Sequence, residues 1–301
     1  MSLTRSARRY GFLLMATVAV VVCLAAPAAA QDAADPNPGA ITITGAIDFT
    51  NAYMFRGIRQ ERSGLITWPY FDLGLALYSG DGGLKSVGVN IGTWNSLHTD
   101  GTGSDGPSGK LWYESDFYAV LGLGFGGGVT LGTTYTAYTS PNNMFSTVKE
   151  IAFKVGVDDS KYLGKATVKP YFLIAQELDV ESAGQGQADA GAEAGTYVEI
   201  GAAPGISLAK ASIAVPIKVG LSASNYYENP LTGEDSKFGY FSIAGVVTVP
   251  LGGTTKFGSW NVHGGVEYQR LGDTLKVFNR DADGTLKDNQ VIGSVGIGFS
   301  Y

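Results

Sequence analysis

Three groups of residues in this chain have types and spacings that could do chemistry. The first is Asn279-Arg280-Asp281-Ala282-Asp283-Gly284-Thr285-Leu286. Side-chain oxygens at positions one, three and five, a carbonyl at seven and a sharp glycine turn at six suit a hard cation. Asn279, Asp281, Asp283 and Thr285 are therefore candidate calcium ligands. The twelfth position is Gln290 rather than the bidentate glutamate of strong sites, and the alternative is a plain polar turn. The second group is Arg56, Arg59 and Arg62, which could hold phosphate or carboxylate groups by charge-assisted hydrogen bonds. The third is a set of carboxylates and lysines at alternate positions of apolar stretches, considered below. The two histidines, His98 and His263, form no evident nucleophile–base pair with a nearby serine, and the chain does not read as an enzyme.

The elements that position these residues follow from the alternation. In residues 291–301, Val291, Val295, Ile297, Phe299 and Tyr301 share one parity, while Ser294, Gly296, Gly298 and Ser300 occupy the other. A period of two means a strand with one apolar face. A closing strand that ends on an aromatic resembles the signal by which bacterial outer-membrane barrels are recognised for assembly. In a closed barrel that strand pairs with the first, because an open edge is not tolerated in lipid. The last strand of a soluble β-sandwich is the competing reading.

Composition supports strands. Of 301 residues only 16% are charged, 43 are Gly, 16 are Tyr and 14 are Phe, and mean hydropathy is +0.08. Glycine and aromatics at this level favour short strands and tight turns. A barrel strand shows lipid one apolar side chain in two, which keeps mean hydropathy low.

Residues 1–30 read as a secretory signal peptide, with Arg5, Arg8 and Arg9, an apolar run over residues 12–26 and Ala28-Ala29-Ala30 before the cut. Residues 31–40 read as a short periplasmic leader and residues 41–301 as the barrel. The one cysteine, Cys23, lies in the signal, so disulfides and thiolate metal sites are not expected. Losing the signal takes the formal charge from −6 to −9, which argues against a nucleic-acid partner.

Strands are predicted over residues 41–56, 65–78, a run centred on Val87–Ile91, 111–124, 129–139, 148–157, 165–178, 196–202, 211–226, 238–249, 260–271 and 290–301. Both parities of 238–249 are apolar, so its facing is open. Pro170 and Pro216 predict bulges or breaks. Short turns at residues 79–83, 125–128, 158–164, 203–209 and 250–259 alternate with connections at 60–64, 97–110, 140–147, 179–195, 227–237 and 272–289, which are long or polar after the first. This alternation separates a membrane barrel from a sandwich. The fold class is all-β, a transmembrane antiparallel up-and-down barrel of about 12 strands in the outer membrane of a Gram-negative bacterium.

By parity, the lumen receives Asp48, Arg56, Asp72, Glu114, Asp116, Glu150, Lys154, Lys169, Glu177, Glu199, Lys218 and Glu267. These are the expected pore-lining residues, either a charged lining that sets ion selectivity or a set of salt bridges that fills the barrel. Acids outnumber bases, so cation preference is expected. Trp68, Trp94, Trp112 and Trp260 read as interface or rim aromatics. A lipid-side Ser-His-Asn arrangement of the outer-membrane phospholipase kind is not evident, because His263 shares lumen parity with Asn261 and Glu267.

The stretch Thr50-Asn51-Ala52-Tyr53-Met54-Phe55-Arg56-Gly57-Ile58-Arg59-Gln60 resembles the amino-terminal motif of the TorF-like family of bacterial porins, a signal peptide followed by a strand ending in Tyr-x-Phe-Arg-Gly. Trp94-Asn95-Ser96-Leu97-His98, Tyr113-Glu114-Ser115-Asp116-Phe117-Tyr118, Tyr135-Thr136-Ala137-Tyr138-Thr139-Ser140-Pro141-Asn142 and Trp260-Asn261-Val262-His263-Gly264-Gly265 look like a longer branch of it. The resemblance implies an outer-membrane porin that passes small hydrophilic solutes or ions. Its expected partners are outer-membrane lipid and glycolipid, the barrel assembly machinery and the solutes. No cofactor beyond the candidate calcium is implied, and no energy-coupling box or plug domain is visible. The competing function is a non-conducting barrel that binds or adheres through its long loops.

Overall fold

The structure is a computed structural model that describes residues 39–105, 107–108, 110–178, 193–253 and 255–301. The expected signal peptide, most of the leader and the middle of the 179–195 connection lie outside the described residues. The strands are β1 (Ile41–Thr50), β2 (Tyr53–Phe55), β3 (Ile58–Glu61), β4 (Ile66–Ser79), β5 (Leu84–His98), β6 (Trp112–Phe125), β7 (Val129–Thr139), β8 (Val148–Val157) and β9 (Ala166–Thr167). They continue with β10 (Tyr171–Leu178), β11 (Thr196–Ala202), β12 (Gly205–Ser207), β13 (Ser212–Ala214), β14 (Ile217–Ser224), β15 (Phe238–Pro250), β16 (Ser259–Leu271) and β17 (Asn289–Ser300). Two short helices, α1 (Ser160–Leu163) and α2 (Asp273–Phe278), lie in connections.

These strands close into a twelve-stave antiparallel barrel in the order β1, β4, β5, β6, β7, β8, β10, β11, β14, β15, β16, β17 and back to β1. The last strand pairs with the first from Thr44↔Ser300 to Thr50↔Ser294, and Tyr301 and Ile43 exchange backbone hydrogen bonds at 2.6 and 2.7 Å. The seam therefore leaves no open edge, as lipid requires.

Three adjacent staves are each made of two strands, β10 with β9, β11 with β12 and β14 with β13, interrupted around Pro170, Pro204 and Pro216. A proline has no amide to give to a ladder. Its carbonyl still accepts: Pro170 takes the Val157 amide at 3.0 Å, Pro204 that of Val215 at 2.6 Å and Pro216 that of Ala244 at 2.8 Å. The expected breaks at Pro170 and Pro216 occur. Pro204, expected in a turn, is instead a third break, and the turn sits between Leu208 and Ala211.

Alternation sets the facing throughout. Ile47, Phe71, Ile91, Phe117, Phe153 and Ile297 are exposed on the outer face, while their neighbours in sequence Asp48, Asp72 and Glu114 are buried. Burying one large apolar side chain is worth about 1.5–3 kcal/mol, so a continuous exposed belt of them suits lipid and not water. The ambiguous β15 turns Tyr240, Ser242 and Ala244 inward and Ile243 and Val247 outward.

The largest departure from the alternation is at the first stave. The predicted strand over residues 41–56 stops at Thr50, with Asn51 giving a last backbone hydrogen bond to Gly293 at 3.1 Å. The chain then folds inward as the hairpin β2–β3. Its two central residues, Arg56 and Gly57, have φ of 45° and 84°, as the tight turns that suit hairpins require. Gly57 is needed twice over, since a Cβ there would stand 2.5 Å from Leu275 Cδ1. The hairpin escaped the sequence pattern because a hairpin arm alternates as a barrel strand does.

Candidate functional site

The hairpin crosses the barrel interior at the end that carries the long connections. On one side Tyr53 packs edge-on to Trp68 and tilted against Trp94, both with ring centroids at 5.4 Å, and edge-on to Tyr113 at 6.4 Å. Trp68 and Trp94 thus face inward rather than lying at an interface. Trp112 and Trp260 are exposed on the outer surface. On the other side Ile58 enters a cluster of Tyr197, Tyr226, Tyr227, Tyr240, Leu271 and Leu275. Tyr113 reaches inward because a bulge between Ser96 and Leu97 shifts the β5–β6 register by one residue.

Arg56 sits at the hairpin tip. Its guanidinium forks onto Glu150, with Nη1 at 2.5 Å from Oε2 and Nη2 at 2.8 Å from Oε1. Nη1 also donates to the Tyr226 hydroxyl at 3.0 Å, and the group lies 4.1 Å from the Tyr197 ring centroid. A planar guanidinium suits a two-point pair with an aromatic face. The sequence reading put Arg56 in the lumen on a barrel strand. It is in the lumen, but on the hairpin.

Two polar anchors hold the hairpin base. Asn279 is buried, donates to the Gly57 carbonyl at 2.6 Å and accepts from the Arg59 amide at 2.6 Å. Glu61 accepts from the Thr102 amide at 2.7 Å, the Ser63 amide at 2.9 Å and the Arg62 amide at 2.7 Å. Outside them, Asp281 gathers three cations: Arg59 at 3.2 Å, Arg62, and Lys287 at 2.7 Å. The Lys287 hydrogen bond, with the two guanidiniums, holds the Asp281 carboxyl below its ordinary range.

These contacts occupy the candidate calcium ligands. Both polar ends of Asn279 serve hairpin backbone, Asp281 is bound by cations, and Asp283 accepts the Thr285 amide at 2.9 Å. A divalent cation would meet Arg59, Arg62 and Lys287 at once, so this arrangement fits an anchor and not a calcium loop. Part of the connection expected as loop is the helix α2, which carries Leu275 onto the hairpin.

The remaining expected lumen residues distribute along the inner wall. Glu114 and Asp116 are buried at the long-loop end. Glu177 accepts the Gly195 amide at 2.8 Å. Asp48 lies 2.5 Å from His263 Nε2, and Asn261 Oδ1 faces the other ring nitrogen at 2.8 Å. Asp72 accepts from Asn90 at 2.6 Å, and Glu267 from Ser242 at 2.5 Å and Gln269 at 2.8 Å. Lys169 is not on the wall. It lies in the break before Pro170 with φ of 48°, its amide 3.3 Å from the Asp159 carboxylate.

Towards the short-turn end the interior changes character. Lys154, Tyr171, Glu199 and Lys218 are part-exposed. Glu199 accepts from the hydroxyls of Tyr171 and Tyr197, each at 2.6 Å. Lys154 lies over the Tyr171 ring at 4.1 Å and Lys218 over that of Tyr240 at 5.7 Å. Among the described residues, neither lysine has a carboxylate within ion-pair distance. A small cavity of about 30 Å³ touches Lys218, Ser242 and Glu267 beside Pro216. It is large enough for water.

One pairing was missed in the sequence. His98 ends β5, and Ser96 Oγ lies 2.7 Å from its Nε2, with Thr102 Oγ1 at 2.7 Å from Nδ1 and 3.0 Å from Glu61. The signal was available, since residues two apart on a strand share a face. Ser96 and His98 are wholly buried, the Trp68 indole donates to Ser96 at 3.0 Å, and the imidazole stacks on Tyr113 at 4.5 Å. A nucleophile needs an approach that this serine lacks. The chain of hydrogen bonds ties residues 99–102 to the hairpin base.

No protein-family model matches the chain, so the TorF-like resemblance rests on the motifs quoted above, and no curated protein matches it in sequence. Among solved structures it is similar to the NanC porin, at 9% identity over 85% of this chain and 98% of that one, with a TM-score of 0.45. It is also similar to an outer membrane channel from Pseudomonas putida F1, at 12% identity over 90% and 99%, TM-score 0.44. The translocator domain of the autotransporter NalP from Neisseria meningitidis matches at 14% identity over 88% and 90%, TM-score 0.41. These neighbours are all bacterial barrels, and at such identities the likeness is one of fold.

Proposed function

We propose that this chain is an outer-membrane channel of the porin type, with its long connections outside the cell and its short turns in the periplasm. It passes small hydrophilic solutes or ions passively through a charged lumen. The observation that carries this reading is the pair Lys154 and Lys218, charged, part-exposed and without ion-pair partners on the inner wall. Charges at membrane depth face water or a pathway. Carboxylates outnumber cations along the wall, which favours cations in transit. The hairpin stands across the outer mouth, so passage requires it to yield.

The test is the conductance of the purified protein in a planar bilayer under a salt gradient. Discrete steps with a cation-selective reversal potential are expected, and a clear anion preference overturns the selectivity. The hairpin favours a second reading, a closed barrel that binds surfaces through its outer loops. A folded barrel that stays silent and loses cell binding when its loops are trimmed selects that reading.

A further inference from the structure

The rim of the mouth holds more positive charge than its fold needs. Asp281 is one carboxylate shared by Arg59, Arg62 and Lys287. Two guanidiniums and an ammonium bring more N–H donors than its two oxygens can accept. Arg59 spends one further donor on the Arg280 carbonyl at 2.8 Å. The nearest other acid on the same turn, Asp283, has its Oδ1 on the Thr285 amide. Glu61 is turned away onto Thr102 and Ser63. The side chains of Arg62 and Lys287 are 48% and 39% exposed, so their spare donors face solvent.

We propose that Arg59, Arg62 and Lys287 form a receiving site for phosphate or carboxylate groups at the outer rim, where the ligand competes with Asp281 for the same donors. That the site faces outside the cell rests on the channel orientation above. Guanidinium and ammonium groups together suit a group with several acceptor oxygens. The phosphate can come from a solute or from a headgroup of the surrounding lipid. Arg59 and Arg62 belong to the inner hairpin and its exit, so a bound anion loosens the grip of the 272–288 connection on that hairpin.

The probe is inorganic pyrophosphate, titrated by calorimetry into the purified barrel in zwitterionic detergent at low ionic strength. Arg62→Gln with Lys287→Gln should weaken binding about tenfold, the scale of one lost charge-assisted contact. Asp281→Asn should tighten it, because the competitor is neutralised. Arg270→Gln with Lys276→Gln, cations paired to Asp288 and Asp273, should leave it unchanged. Absence of binding, an equal loss in that control pair, or binding unaltered or weakened in Asp281→Asn overturns the site. Repeating the titration with phosphatidic acid in phosphatidylcholine micelles separates the sources. Binding of the lipid alone assigns a headgroup, binding of free pyrophosphate a solute, and either supports the site. No current is measured, so a barrel that binds but does not conduct overturns the channel alone, and one that conducts without binding overturns the site alone.

Discussion

At the outer end of the barrel, the inward positions Trp68, Tyr197 and Tyr240 are closed over by a hairpin and exclude water. At the inner end Lys154, Tyr171 and Lys218 stand on the same alternation and remain part-exposed. The wall obeys one rule in both halves, so the difference lies in what the wall encloses. Where a second layer of chain is present, the inward residues are large aromatics that pack on it. Where none is present, they are long charged side chains that water can reach. Reading a strand by parity tells which way a residue points, and only the occupant of the interior tells what it meets.

The comparison breaks most directly if residues 53–61 are replaced by a short glycine-serine link. The outer half should then resemble the inner one, with single-channel conductance rising several-fold, as recorded in planar bilayers. Arg56→Ala strands the buried Glu150, and losing one partner of such a pair costs about 3–5 kcal/mol. Hydrogen exchange of the hairpin amides should rise accordingly. A second variant, Arg56→Met with Glu150→Leu, should recover much of that loss, because an apolar pair replaces the charged one. Gly57→Ala forces a side chain into a positive φ against Leu275, at a cost of order 1–3 kcal/mol, readable in the same exchange experiment.

A smaller effect is expected from acid. The Asp281 carboxyl is held below its ordinary range in the folded protein. Its ion pairs are therefore intact above the unfolded value of about 3.9 and are lost as pH falls through the lower folded value. Hairpin exchange should be flat from neutral pH to about pH 4 and quicken below that, and Asp281→Asn should abolish the acid step. The smallest effect belongs to the inner half. Lys218→Gln should move the reversal potential further towards cation selectivity without changing thermal stability.

Much of this architecture is written locally. The strands over Val129–Thr139, Val148–Val157 and Thr196–Ala202 end where their alternation ends, because each is bounded by turn chemistry of its own. The closing role of β17 is legible in its one-sided apolar parity. The hairpin is not legible in this way, because Tyr53 and Phe55 continue the alternation of β1 and nothing local separates a strand that goes on from one that turns back. The Arg56-Gly57 pair was the available sign, a residue next to a glycine between alternating arms. The partners of Arg56, Asn279 and Asp281 are set by closure of the barrel, so no spacing in the sequence reveals that a candidate metal loop is an anchor.

The hairpin also has a consequence for the order of assembly. It is among the first segments of the barrel to be made, yet its partners come late: Glu150 lies 94 residues onward, Tyr226 170, and Asn279 220 from Arg59. Contacts of such long separation form slowly, since the loops between them must close first. A finished cylinder with a hydrogen-bonded seam offers no side entrance for a folded hairpin. The staves must therefore wrap around residues 53–61 as a mandrel, with β17 sealing against β1 only after the hairpin is in place.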